Sequence, residues 1–220
     1  MKTWIKSTLY VGATALVLGA VVVGLAIAGC RQTLYPLARA FGSPPESELA
    51  LCRTAFLKLQ GQLPHSRVRL EPVNFAAYGS RHWRYDLAEN LAREAARHTS
   101  AQFALAPIRP EIDPTHLGHN QMAYFWERAA IYGNWIKSAP PGADYVWIVE
   151  VFGQGTNVGA IQLYVFDAHG QLAYGRAFNS HHFGSNLPLD SDDVIKLIVE
   201  HLFKDLAKEP TQIFPPYGVG

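Results

Sequence analysis

ADYVWIVEVF, residues 143–152, is apolar on both sides of an extended chain. Tyr145, Trp147, Val149 and Val151 point one way, Val146, Ile148 and Phe152 the other. A strand covered on both faces lies inside a sheet flanked by helices. Glu150 interrupts the second face. A buried carboxylate needs a partner or a raised pKa, and a structural pair with an arginine is expected there in preference to a general acid or base.

Working downstream, GAIQLYVFD (159–167) and QLAYGRAFN (171–179) are joined by Ala168-His169-Gly170. The turn signals on either side predict two successive hairpins, and so a three-strand antiparallel meander. GQGTNVG (153–159) has the glycines of a phosphate loop but runs into a strand. Phosphate loops need a helix N-terminus behind them, so this is a hairpin connection. Asp190 or Ser191 then caps a helix to about Lys208, with Val194, Leu197, Ile198, Leu202 and Leu206 inward. Residues 209–220 are expected to be extended.

Upstream, Gln121 to Ser138 has helical character, with Phe125, Ala129, Tyr132 and Ile136 on one face, and Pro140-Pro141-Gly142 stops it. Tyr124, Phe125 and Trp126 are adjacent and cannot all face one side, so the helix is expected to pack on two sides, with an exposed aromatic marking a binding surface as the alternative. QFALAPI (102–108) is a short strand. Asp86 to about His98 is a helix with Leu87, Leu91 and Ala95 inward. SRVRLEPVNF (66–75) alternates as a half-buried strand, and Pro72 places its end at an edge or bulge. Ser43-Pro44-Pro45-Glu46 fits a capping box for a helix whose stripe is Leu49, Cys52, Phe56 and Leu59. The sum is a single α+β domain over residues 46–208, helices packed on a mixed sheet.

The domain follows a different kind of segment. Thr8 to Gly29 is uncharged, and at about 1.5 Å per residue it spans roughly 33 Å, enough to cross a bilayer core. Lys2 and Lys6 precede it, as in an export signal. Residues 1–30 therefore read as signal peptide or membrane anchor, and 31–45, with three prolines, as a tether. Ile27-Ala28-Gly29-Cys30 resembles the lipobox of bacterial lipoproteins. That resemblance implies cleavage before Cys30, attachment of acyl chains such as palmitate to it and, since Arg31 follows where a retention aspartate would stand, transfer to an outer membrane. The competing reading is an uncleaved single-span anchor. The run is long for a signal, and Ala20, Gly24 and Ala28 form a small-residue stripe suited to helix packing. Either way residues 31–220 face the periplasm, tethered to a membrane.

Composition narrows the function. The chain has 220 residues, 49% hydrophobic and 17% charged, and about 190 of them follow Cys30. Without Lys2 and Lys6, 17 basic residues meet 18 acidic ones. No basic excess is left to neutralise phosphates, so nucleic acid is not an expected partner. Cys30 and Cys52 are the two cysteines, too few for a disulfide framework, and Cys52 is expected as a small buried side chain. No G-x-S-x-G elbow is present.

The order of elements after the anchor, helix, strand, helix, strand, helix, three strands, helix, resembles that of envelope lipoproteins grouped around the TolB amino-terminal domain, with the curli-secretion lipoprotein and the lipoprotein activators of cell-wall synthases. The phrases that carry it are Arg67-Val68-Arg69-Leu70-Glu71-Pro72-Val73, Gly142-Ala143-Asp144-Tyr145-Val146 and Asp167-Ala168-His169-Gly170, within residues 66–207. It implies an α+β domain of the same shape in an envelope protein.

One metal candidate stands out. Asp113, His116 and His119 recur every three residues in the loop PEIDPTHLGHN, and a carboxylate with two imidazoles suits zinc. His181 and His182 are adjacent in a strand end and point apart, so they do not chelate one ion together. The leading expectation is a membrane-tethered, non-catalytic envelope binding protein with no cofactor. The alternatives are a tethered metal-dependent hydrolase using Asp113, His116 and His119, and an accessory subunit of a secretion or lipid-transport assembly.

Overall fold

The computed structural model describes residues 44–77, 80–106, 121–139, 141–154, 156–179, 187–188 and 192–214. Its elements are α1 (Glu46–Gln62), β1 (Arg67–Leu70), β2 (Val73–Ala77), β3 (Ser80–Arg84), α2 (Tyr85–Ala95), β4 (Gln102–Leu105), α3 (Gln121–Ser138), β5 (Tyr145–Gln154), β6 (Asn157–Asp167), β7 (Leu172–Asn179), α4 (Asp193–Asp205) and the single turn α5 (Pro210–Ile213). The protein is α+β, a mixed sheet with helices packed on it.

β5 is the central strand. β6 pairs antiparallel along one edge of it, and β7 pairs antiparallel with β6. Along its other edge β1 and then β2 run parallel to it. β4 lies parallel outside β1, and β3 antiparallel outside β2. Tyr145 to Glu150 are all buried, as a strand with helices on both faces requires.

The segment read as one strand over 66–75 is two, because Pro72 breaks the ladder. Leu70 is in register with Trp147 and Asn74 with Glu150, four residues on one side against three on the other. The Glu71 N–H still bonds the Trp147 carbonyl at 3.0 Å, so the surplus residue falls at Pro72, which has no N–H to offer. This is a β-bulge, and it moves every later side chain to the opposite face.

α3 covers the face that bears Val146, Ile148 and Glu150. Phe125 stacks on Tyr164 with ring centroids 4.7 Å apart. α1 and α4 cover the other face: Phe56 stacks on Tyr174 at 6.2 Å, and Phe178 meets His201 at 5.0 Å. α2 lies beside α4. Asp205, fully buried at the end of α4, accepts from Tyr174 at 2.9 Å and Lys208 at 2.7 Å, with Arg176 at 3.5 Å. A buried carboxylate is tolerable on such terms.

Four boundaries differ from the sequence reading. α1 starts after Pro45, its N-cap, with no side-chain cap. The chain before a proline is held extended, so Pro44 cannot enter the helix and the expected box at Ser43 does not form its start. α2 ends at Ala95, and α4 begins after Asp192. The tail is not extended at its start: α5 turns back beneath α1 and buries Ile213 and Phe214. The aromatic run of α3 is enclosed, in line with a helix packed on two sides. Phe125 and Trp126 are buried and Tyr124, half-buried, lies edge-on to Phe152. Among the described residues no helix is long and apolar enough to cross a membrane, and Thr8–Gly29 lies outside them.

Candidate functional site

Glu150 is fully buried. Its Oε1 accepts from Asn74 Nδ2 at 2.8 Å, from Tyr132 Oη at 2.8 Å, and from Arg128 through both Nε, at 3.1 Å, and Nη2. Arg128 Nη2 also donates to the Tyr132 oxygen at 2.6 Å. Arg128 and Tyr132 stand one turn apart on α3, so both reach the same point of the sheet. Burial alone would pull the Arg128 guanidinium down, but Tyr132 and Glu150 outweigh it and hold its pKa above the ordinary value. Burial, and then the negative Glu150, push the hydroxyls of Tyr132 and Tyr164 well up. The expected arginine partner is therefore present. A general base needs a lone pair within reach of substrate, whereas both sides of this ion pair are almost wholly enclosed. The network is structural.

A cleft of about 350 Å³ opens between α1, α3 and the β6–β7 turn. Glu48, Cys52, Trp126, Asn134, Lys137 and Gln171 contribute its polar groups, and Ala129, Phe166 and Leu172 its apolar wall. Its floor depends on two glycines. A Cβ on Gly133 would lie 2.6 Å from the Gly170 carbonyl oxygen, and one on Gly170 2.1 Å from that of Gly133. Gly170 also has φ +73°, which only glycine adopts without strain. Helix α3 and the hairpin turn thus touch backbone to backbone.

Cys52 lies in this wall, buried as expected. Gln171 Nε2 donates to its sulfur at 3.6 Å. Burial, with Glu48 adding to it, pushes the thiol up to about 12. It carries almost no thiolate at neutral pH and is not a nucleophile. With a carboxylate, a lysine, two amides and a tryptophan on its walls, the cleft is suited to holding a polar side chain or small ligand. A second, smaller cleft of about 180 Å³ lies between α2 and α4, with Arg93, Arg97 and Lys196 set against Glu94 and Asp192.

Other predicted positions fall elsewhere. The glycine stretch 153–159, expected as a loop, is largely strand: Gly153 and Gln154 end β5, residues 157–159 open β6, and Gly153 pairs with Val158 and Gln154 with Asn157, while Gly155 lies outside the described residues. Asp113, His116, His119, His181, His182 and Cys30 lie outside the described residues. Among the described residues no group of three His, Cys, Asp or Glu side chains is placed to hold a metal ion. The cleft itself has no linear signature: its wall joins residues 48–52, 126–137 and 166–172. The one local clue is Gly133, a glycine inside a helix.

No family model matches the chain, and no curated protein does. Among solved structures it is similar to the PelC dodecamer from Paraburkholderia phytofirmans, with 13% identity over 64% of this chain and 86% of that one and a TM-score of 0.34. It is also similar to the hypothetical protein CT253 from Chlamydia trachomatis, with 16% identity over 64% and 98% of the two chains and a TM-score of 0.33. Likenesses of this size carry no argument about what the chain does.

Proposed function

We propose that this chain is a membrane-tethered protein of the bacterial cell envelope whose α+β domain binds another envelope component in the periplasm without catalysing a reaction. The observation that carries the reading is the uncharged run Thr8–Gly29, closed by Ile27-Ala28-Gly29-Cys30. A stretch that apolar is unfavourable in water and draws the rest of the chain to a bilayer. One feature of the domain supports a binding role: its cleft carries a carboxylate, a lysine and two amides on its walls. The cleft between α1, α3 and the β6–β7 turn is where a partner's side chain would seat.

Intact-mass spectrometry of the membrane fraction tests the anchor. A mature chain beginning at an acylated Cys30 supports lipid tethering to the outer membrane, and a full-length chain beginning at Met1 supports a retained span. Full-length product in detergent-free cytosol overturns both. Crosslinking followed by affinity capture tests the partner: an envelope protein whose recovery falls when Lys137→Glu or Asn134→Trp is introduced supports the reading, and recovery unchanged by both removes the cleft from it.

A further inference from the structure

We propose that the outer face of α1 rests on the surface of the bilayer that anchors the chain. The inference deepens the tethered reading above and rests on it. α1 buries Leu49, Cys52, Ala55, Phe56 and Leu59 against the domain. The opposite side of a surface helix is ordinarily polar. Here it is mixed, with two leucines standing among Glu46, Ser47 and Gln62. Ala50, Thr54, Leu57 and Gly61 follow one another along the exposed side, and Leu51 and Lys58 run in a row beside them. Leu51 is 58% exposed and Leu57 56%. Among the described residues the other large hydrophobics exposed this way are Tyr85 and Leu105, on separate elements. Lys58 is the charged side chain within that arc; Glu46, 74% exposed at the first residue of α1, pairs with Arg53, and Glu48 lines the cleft.

Position selects the occupant. α1 is the first element after the anchor, and 15 residues, 31–45, separate it from Cys30. A stretch of that length cannot exceed roughly 50 Å. α1 is therefore held beside the bilayer at high effective concentration. A helix with leucines outward and a lysine among them suits an interface containing anionic lipid. Seating α1 in this way would turn β4 and the α2–α4 cleft according to how the sheet stands on the membrane.

The test uses the full-length chain in vesicles of phosphatidylethanolamine with phosphatidylglycerol. Leu51→Cys, Leu57→Cys and, as a control on α3 across the sheet, Ser138→Cys are each labelled with an environment-sensitive fluorophore. Cys52 is buried and protonated, and the unsubstituted chain gives the background from Cys30. Lipid-borne quenchers are expected to quench positions 51 and 57 about twofold or more above position 138, and Lys58→Glu is expected to weaken this. Blue-shifted emission that ignores lipid quenchers but follows the protein-to-lipid ratio would mean a second copy covers α1, and overturns the proposal. The same emission independent of that ratio would mean another segment of the chain covers it, and also overturns it. Emission typical of water at both positions does so too. Flotation with the vesicles separates the two readings: a chain that floats without quenching loses the α1 inference alone, and one that does not float loses the tether as well.

Discussion

Asn74 bonds Glu150 across the β2–β5 pair at 2.8 Å, and it faces that way because Pro72 inserts a surplus residue between Leu70 and Asn74. In an unbroken ladder Leu70 and Asn74 would share a face, and Asn74 would point away from α3. The bulge brings the amide to the carboxylate. Arg128, Tyr132 and Asn74 then converge on one oxygen from a helix and a neighbouring strand.

Removing one member of this network should cost far more than an exposed ion pair. Arg128→Ala or Glu150→Ala leaves a buried charge unpaired, and each is expected to lower unfolding stability by about 3–5 kcal/mol. The double variant should lose clearly less than the sum of the two. Urea unfolding of the four proteins closes the cycle.

Two glycines should respond in opposite ways, Gly133 where α3 approaches the β6–β7 turn and Gly61 in α1. Gly133→Ala forces a carbon onto the Gly170 carbonyl and is expected to cost about 1–3 kcal/mol. Gly61 meets nothing within 4 Å in an exposed part of α1, so Gly61→Ala is expected to stabilise by about 0.5–1 kcal/mol. Thermal melts of both variants read the contrast directly.

Glu71 makes stability depend on pH. Its carboxyl is buried with Arg69 Nε 2.7 Å away, yet neither of its oxygens accepts a well-aligned hydrogen bond. Burial raises its pKa from 4.5 to about 7, against the opposing pull of Arg69. The folded state therefore holds this proton more tightly than the unfolded chain. Its contribution to stability is complete below pH 4.5, declines as pH rises towards about 7 and is absent above. Glu71→Gln should flatten that window and stabilise the protein at pH 8 by on the order of 1–3 kcal/mol. Unfolding curves at pH 5 and pH 8 check the sign, and a variant less stable at pH 8 would contradict it.

Cys52 should resist alkylation. With its thiol pushed up to about 12 and enclosed between α1 and the β6–β7 turn, iodoacetamide at pH 8 is expected to leave it unmodified for as long as the fold holds. Labelling should follow the unfolding transition when urea is added, read by peptide mass spectrometry. Labelling of the native protein at the rate of a free thiol would show that the wall around it opens.

The central strand, the meander and α3 were legible because their signals are local. Six buried residues in succession at 145–150 can only be a covered strand or a buried helix, and the following glycine and aspartate turns favour the strand. Glu150 announced its need for an arginine in the same way. β3 was missed because SRHWR is polar and lies at the outside of the sheet, where one partner strand, β2, supplies its order. Pro72 marked a break but not which residues would face α3 beyond it.

The chain's own order of residues determined most of the elements, the side the helices bury and the uncharged run ahead of them, since each follows from neighbours a few positions apart. Folding alone decided which carboxylate met which arginine, where the bulge turned Asn74, and that residues 48–52, 126–137 and 166–172 would enclose one cleft. Those outcomes join segments dozens of residues apart, and no local spacing records a distance that exists only once helices have closed on a sheet.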